Sequence, residues 1–184
     1  MNLLMLGANA SSTMKKIPIL DIFSKRHFVN EGDILPRVSV YGIYQNGREV
    51  LMVKDSKSKK WEFPGGGVDG GENLEQTLVR EFVEETGLKP IGFNTTTPFF
   101  IATELFFDVA SSRAWNSKRL FFMVEKIQGK HKKNGNCDDV EISEFVEIPK
   151  LVKSSNNTVA KIIQKMVADQ NLFHSDNQKV ILQQ

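Results

Sequence analysis

Three glutamates in one short stretch are the residues of this sequence best suited to do chemistry. Glu81, Glu84 and Glu85 are spaced i, i+3 and i+4, so on an α-helix they share one face, within an arc of about 100°. Like charges placed in this way repel one another, and a bound cation removes that cost. Clustered carboxylates favour a hard divalent ion, and Mg²⁺ in proteins typically bridges to substrate phosphates. The spacing therefore predicts metal-assisted phosphate chemistry, with a solvated acidic helix as the alternative.

The residues around these glutamates favour the metal site over the solvated helix. Arg80 adjoins the acidic face, where its fixed charge and forked guanidinium can orient a carboxylate. The glycines at 65–67 let the backbone come close to a metal or ligand. The whole pattern is G-x5-E-x7-R-E-U-x-E-E-x-G-U, with U apolar, and a chance match at one starting point has a probability on the order of 10⁻⁸. Every position is matched, by Gly66, Glu72, Arg80, Glu81, Phe82, Glu84, Glu85, Gly87 and Leu88.

With these residues, the segment from Gly66 to Leu88 resembles the complete signature box of the Nudix hydrolase family. The lead-in, Trp61 to Gly66, is similar to that of the MutT-like branch. The resemblance covers residues 38–151 approximately. It implies an α/β fold, a Nudix-type α/β/α sandwich around a mixed β-sheet, in which the box forms a loop, a helix and a second loop.

The resemblance also implies a reaction and a set of site residues. Glu72 and Arg80 would brace the site, while activated water attacks a phosphorus atom and cleaves a diphosphate linkage. The implied substrate is a nucleoside diphosphate derivative, such as a nucleoside triphosphate or a nucleotide sugar. The alternative is a Nudix-fold sensor that binds a nucleotide without hydrolysing it, although degenerate boxes are typical of that class. The implied ligands of Mg²⁺, or of Mn²⁺ in its place, are Gly66 through its carbonyl and Glu81, Glu84 and Glu85.

Several residues outside the box are further candidates. In relatives, a glutamate before the strand that ends near Pro149 reaches the metals or acts as the base, and Glu141 holds that place here. Asp139 and Glu144 are its rivals. Arg37 and Lys54 are candidate substrate-binding residues, and a solvated loop is the alternative for the lysine. Trp115 could stack on a nucleobase or pack locally.

Hydrophobic periodicity and turn residues predict the elements that position these side chains. Asn73 and Gln76 can form a capping box at the start of the box helix, and Gly87 supplies a left-handed stop. A turn at 46–47 joins two of the strands, and a loop containing Trp115 joins two others. The predicted strands are 37–44, 50–53, 99–109, 120–127 and 144–148, and the predicted helices are 74–86 and 158–169.

Length and composition fit one globular domain of 184 residues. We expect a partly disordered N-terminal extension over 1–30, a Nudix hydrolase domain over 31–170 and a C-terminal tail over 171–184. Residues 1–13 are expected to be functionally silent. Met14 resembles a natural start, so they are interpreted as an upstream extension.

The charge and the cysteine content limit the cellular compartment and the binding partners that can be expected. The 24 basic and 22 acidic residues give a net charge of +2, which argues against stable nucleic-acid binding and against action on the 5′ end of RNA. No apolar run approaches the roughly 20 residues that cross a bilayer, so no membrane association is expected. The single cysteine, Cys137, fits a reducing, cytoplasmic setting. The expected partner is a nucleotide-type small molecule, and a homodimer is left open.

Overall fold

In a computed structural model, which describes residues 15–134, 137–154 and 157–181, strands dominate the first three-quarters of the chain and helices the last quarter. The strands are β1 (Lys16–Leu20), β2 (Arg26–Asn30), β3 (Ile34–Asn46), β4 (Glu49–Asp55), β5 (Trp61–Glu62), β6 (Gly65–Gly67), β7 (Leu88–Phe93), β8 (Phe100–Asp108), β9 (Arg113–Gly129) and β10 (Val140–Glu147). The helices are α1 (Leu74–Thr86), α2 (Ile148–Ser154) and α3 (Asn157–Ile181), and a 3₁₀ turn covers Glu31–Asp33.

An eight-stranded sheet carries helices on both faces. Its main order is β10-β4-β3-β9-β7, while β5, β6 and β8 pair with β4, β3 and β9 respectively. The β3–β9 pair is parallel and the other pairs are antiparallel, so the sheet is mixed. The predicted α/β/α sandwich is confirmed.

Alternation along β3 divides the core between the two faces of the sheet. Val40 packs with the α1 residues Leu78 and Phe82 on one face. Ile43 packs with α2 and α3 on the other, where Ile162 is fully buried. The catalytic candidates on α1 are thus fixed to the sheet by the apolar side of their own helix.

Helix α1 begins and ends where the sequence predicts. The Asn73 side chain accepts a hydrogen bond from the Gln76 amide, and the reciprocal bond completes the capping box. Gly87 takes a left-handed conformation with φ of 74°. At Gly42 of β3, an added methyl group would lie only 2.8 Å from the Phe82 ring, so the missing side chain lets the helix lie close to the sheet.

The predictions for the later strands and the last helix need correction. Trp115 lies within β9, which runs from Arg113 to Gly129, so its placement in a loop was wrong. The polar residues 116–119 did not resemble a strand in the sequence, because the polar groups that they contact lie on strands distant in the chain. The Ser117 hydroxyl, for example, lies 3.1 Å from the Ser39 hydroxyl of β3. Strand β10 begins four residues before its predicted start at Glu144, and α3 continues to Ile181 instead of ending at Asp169.

Residues 16–30 form an antiparallel hairpin, β1–β2, that the sequence did not reveal. Its turn is held by the Asp21 carboxylate, which accepts hydrogen bonds from the amides of Phe23 and Lys25, each 2.9 Å long. The predicted upstream extension, 1–13, lies outside the described residues. Of the predicted C-terminal tail, residues 171–181 belong to α3. Within the described part of the chain, no helix is both long and apolar enough to cross a membrane.

Candidate functional site

The last two glutamates of the box face different surroundings, because Glu85 points to the glycine strand β6. The Gly65 amide donates a 2.8 Å hydrogen bond to Glu85 Oε2. Burial raises the pKa of the Glu85 carboxyl well above its ordinary value, and the nearby charges of Glu81, Glu62 and Asp139 raise it further. Glu84 is half-exposed, at 51% for its side chain, and lies 3.3 Å from Arg80. Glu85 is therefore the more buried of these two glutamates, and we call it the inner carboxylate. A bound cation would offset the cost of burying its charge.

Glu81 lies directly over the backbone of Gly66. A methyl group added at Gly66 would come within 2.6 Å of Glu81 Cδ, so only glycine fits beneath this carboxylate in its present position. Gly65 has φ of 150°, and a methyl group there would lie 2.6 Å from Tyr41 Cα. Burial raises the pKa of the Glu81 carboxyl. The glycines thus bring backbone polar groups and two partly buried carboxylates together.

Arg80 ties the start of the box to its helix. Its guanidinium donates two hydrogen bonds to Glu72, of 2.7 and 2.9 Å, and one of 2.9 Å to Glu81 Oε1. It also donates to the Gly67 carbonyl over 3.2 Å. The hydrogen bonds from Arg80 lower the pKa of the Glu72 carboxyl to about 2. Glu72 is therefore charged at neutral pH, and it fixes the arginine that orients Glu81.

The three glutamates of α1 do not converge on one point in the structure. Arg80 draws Glu81 and Glu84 to itself, whereas Glu85 turns to Gly65. Among the described residues, no group of three or more His, Cys, Asp or Glu side chains has the spacing of a formed metal site. The donor set nevertheless suits a hard divalent ion, because its members are carboxylates. Burial is the main cause of the upward pKa shifts of Glu81 and Glu85, and a bound cation would offset the cost of burying their charged forms.

Arg37 of β3 lies beside the glycine strand β6, whereas Lys54 lies on β4. A methyl group at Gly67 would come within 2.7 Å of Arg37 Nε, so the guanidinium covers the end of β6. Arg37 also lies over the Trp115 ring, with 5.5 Å from Cζ to the centroid. The Lys54 ammonium is 6.0 Å from the centroid of the Trp61 ring. A cation and an indole thus adjoin the glycines on the face opposite α1.

Glu141 lies on β10, where its carboxylate pairs with Lys59 at 3.0 Å. This pairing lowers the pKa of the Glu141 carboxyl. Its rival Asp139 pairs with Lys57 at 3.1 Å, and Asp139 is the residue whose charge is felt by Glu85. The acidic residues at the start of β10 or just before it are therefore linked to the lysine loop before β5, and Asp139 is the member whose charge acts on the inner carboxylate.

A buried ion network beside the site was missed by the sequence analysis. Arg119 of β9 has a side chain only 8% exposed, and it donates 2.8 Å hydrogen bonds to Glu62 and to Glu104. Its guanidinium lies 4.5 Å above the centroid of the Tyr41 ring. One sequence signal was available: an arginine directly before the apolar run 120–124. Strand pairing brings Glu104 to it, because Arg119 stands opposite Ala102 of β8, two residues before Glu104.

Comparison with known proteins agrees with this fold and site. The model of the NUDIX domain matches residues 34–168. An 8-oxo-dGTP diphosphatase from Buchnera aphidicola is 30% identical over 139 residues, which cover 70% of this chain and 93% of that protein. An RNA pyrophosphohydrolase from Baumannia cicadellinicola is 37% identical over 75 residues, or 40% of this chain and 46% of that protein. The chain thus spans less than half the length of this second relative.

Solved structures show the same architecture. A MutT NUDIX hydrolase from Burkholderia pseudomallei superposes with a TM-score of 0.56 at 20% identity, over 70% of this chain and 96% of that one. A MutT protein from Methanosarcina mazei gives a TM-score of 0.54 at 20% identity, over 75% and 97% of the two chains. These likenesses concern the fold alone. Together with the match to the domain model, they establish that the chain belongs to the NUDIX domain family.

Proposed function

We propose that the chain is a pyrophosphohydrolase that cleaves a diphosphate linkage in a nucleotide derivative. The observation that carries this proposal is the pair of partly buried carboxylates, Glu81 and Glu85, held against the backbone of the glycine strand. Burial raises the pKa of both groups, and a bound divalent cation would offset the cost of their buried charge while it meets a substrate phosphate. The family match over residues 34–168 supports the same reaction class.

Glu81, Glu84 and Glu85, with the Gly66 carbonyl, would hold Mg²⁺, or Mn²⁺ in its place. When bound, the metal neutralises charge on phosphoryl oxygens and lowers the pKa of a water molecule. The chain's own residues do the positioning. Arg80 orients Glu81 and is itself held by Glu72, which is charged at neutral pH.

The substrate is proposed to be a nucleoside triphosphate or a nucleotide sugar. Arg37, beside Gly67, is placed to meet a phosphate, and Trp115 beneath it offers an aromatic face for a base. Lys54 supplies a second cation along β4. The relative from Buchnera, which the chain matches over 93% of that protein, carries the name of a nucleoside triphosphate diphosphatase. The 5′ end of RNA is the second candidate, favoured by the relative named RNA pyrophosphohydrolase.

The general base is proposed to come from the acidic residues at the start of β10 or just before it, or from the box itself. Glu141 is the candidate on β10, and it must leave Lys59 before it can take a proton. Asp139 is its rival because its charge acts on Glu85. A carboxylate whose pKa is lowered is a weaker base, since general bases work best with a pKa near the operating pH. Asp139 is likewise paired, with Lys57 at 3.1 Å, so either candidate must leave a lysine before it takes a proton.

The test is phosphate and pyrophosphate release with Mg²⁺ across a panel of nucleoside triphosphates, nucleotide sugars and a 5′-triphosphorylated RNA. We expect release from at least one compound by the wild type, and its loss in Glu84→Gln and Glu85→Gln. Glu75→Gln is the matched control, because Glu75 is an exposed glutamate of the same helix. Tight binding of one compound without any release would instead identify the non-hydrolysing sensor.

A further inference from the structure

The β1–β2 hairpin is a firmly attached surface that lies outside the matched domain, which begins at residue 34. The His27 ring stacks on Phe107 of β8 with 3.9 Å between centroids. His27 Nε2 also lies 2.8 Å from the Asp21 carboxylate. Ile19 is only 2% exposed. These contacts fix the hairpin to the sheet, so its outer face has a defined shape.

Strand alternation separates the two faces of this hairpin. Ile19 and His27 are on the attached face. The outer face and the turn carry exposed cations and exposed apolar side chains in the same small area. These exposed residues are Lys16, Pro18, Leu20, Ile22, Phe23, Lys25, Arg26 and Phe28.

Charge on the hairpin is strongly one-sided. Residues 15–30 contain four basic residues and one acid, Asp21, and that acid is 2% exposed and paired with His27. The whole chain contains 24 basic and 22 acidic residues. The excess of basic residues on the hairpin therefore cannot be seen from the net charge of the whole chain. Glu31 and Asp33 of the 3₁₀ turn follow β2. An anion is therefore directed to the far end, where Lys25 and Arg26 lie.

We propose that the outer face of the β1–β2 hairpin binds single-stranded nucleic acid. Lys25 and Arg26 contact phosphates, since among the described residues neither is held in an ion pair. Phe23 and Phe28, exposed at 61% and 65%, provide ring faces on which bases stack. Cations that follow a backbone, combined with aromatic platforms, are the features that bind single strands without sequence preference.

The arrangement fits a nucleic-acid strand better than a lipid surface. Phe28 stands opposite Pro18, and Arg26 stands opposite Leu20. A ring and a cation are therefore consecutive residues on the outer face of β2, opposite the apolar Pro18 and Leu20 of β1. A membrane-binding site instead has an apolar face to bury in the bilayer, with its charges at the edge of that face. The overall charge of +2 argued against nucleic-acid binding. That argument does not apply to this hairpin, because its cations are concentrated on one surface.

The experiment is fluorescence anisotropy of a labelled single-stranded RNA bearing a 5′-hydroxyl, titrated with the full chain at several salt concentrations. Such an RNA has no diphosphate to cleave, so binding is independent of the proposed hydrolysis. We expect Lys25→Glu with Arg26→Glu to weaken binding and to reduce the salt slope by about 1.4, since each phosphate contact in a single strand contributes about 0.7. Phe28→Ser should weaken binding by about 5- to 100-fold through lost stacking.

The matched control is Lys126→Glu with Lys161→Glu, which changes the charge equally at exposed positions outside the hairpin. This control should bind RNA more tightly than the hairpin charge variant, and all variants should keep the nucleotide hydrolysis of the wild type. The proposal is overturned if the wild type does not bind the RNA or if the two charge variants weaken binding equally. It is also overturned if vesicles containing phosphatidylserine bind through the hairpin and the RNA does not.

Discussion

Gly66→Ala tests whether the position of Glu81 matters to the reaction. The added methyl group would lie 2.6 Å from Glu81 Cδ, whereas two carbon atoms in contact are about 3.5–4.0 Å apart. The carboxylate must therefore retreat by about 1 Å. Gly66 is not among the residues with positive φ, so alanine can adopt its backbone conformation. The substitution thus acts through Glu81 and not through backbone strain.

The retreat of Glu81 has unequal effects on rate and on stability. Its 2.9 Å hydrogen bond with Arg80 is weakened, and partial exposure of that pair limits the loss of unfolding free energy to about 1 kcal/mol. A displacement of about 1 Å in a catalytic group costs about 10²-fold in rate. We expect kcat to fall by about that factor, with affinity for Mn²⁺ reduced as well.

The assay is phosphate release at saturating Mg²⁺, with Mn²⁺ binding measured by calorimetry and stability by urea unfolding. Gly70→Ala is the matched control, because a methyl group at Gly70 has no neighbour within 4 Å. It should behave like the wild type in all three measurements. If Gly66→Ala turns over substrate as fast as Gly70→Ala does, a fixed Glu81 is not required and the reasoning fails.

Three further substitutions test other parts of the site and fold. Glu85→Gln keeps an acceptor for the Gly65 amide, so turnover should be nearly abolished while the melting temperature does not fall; near-normal release would remove Glu85 from the site. Glu141→Gln should change kcat only a few-fold, since its carboxylate pairs with Lys59; a loss of about 10²–10⁴ would make it the base. Asp21→Asn should lower the melting temperature at neutral pH. The hydrogen bond with His27 lowers the pKa of Asp21 below 3.8, so its stabilisation is present above that value and is lost as the pH falls through the lowered value. A difference that stays constant with pH would contradict this.

The parts of the fold that local sequence determines were predictable. Helix α1 was predicted at both ends because its cap, Asn73, and its stop, Gly87, are adjacent to it in the chain. The box residues share one helix and its flanking loops, so spacing placed Arg80 beside Glu81, and the family resemblance placed Glu72 with them. The contacts between Arg80 and these two glutamates bear out that proximity.

The parts that depend on strand pairing were not predictable from one sequence. Arg119 has its partners 57 and 15 residues away, on β5 and β8, and no local pattern links them. The hairpin was obscured because its outer face is partly apolar, which removes the usual alternation of polar and apolar residues. Glu141 was placed near the cleft by its resemblance to a glutamate of relatives, whereas the facing Lys59 decides its contact.

The pairing of strand β3 determines how the centre of the sheet exchanges its amide protons. The strand pairs with β9 over eleven consecutive positions, Ile34 to Tyr44, and over Ser39 to Tyr41 it also pairs with the glycine strand β6. Strand β3, which adjoins the glycine strand of the site, is therefore hydrogen-bonded on both sides at the centre of the sheet, where amide protons exchange only through the largest openings of a protein. Amides at 39–41 should exchange no faster than the core as a whole, so the glycine strand should stay paired until the whole sheet unfolds.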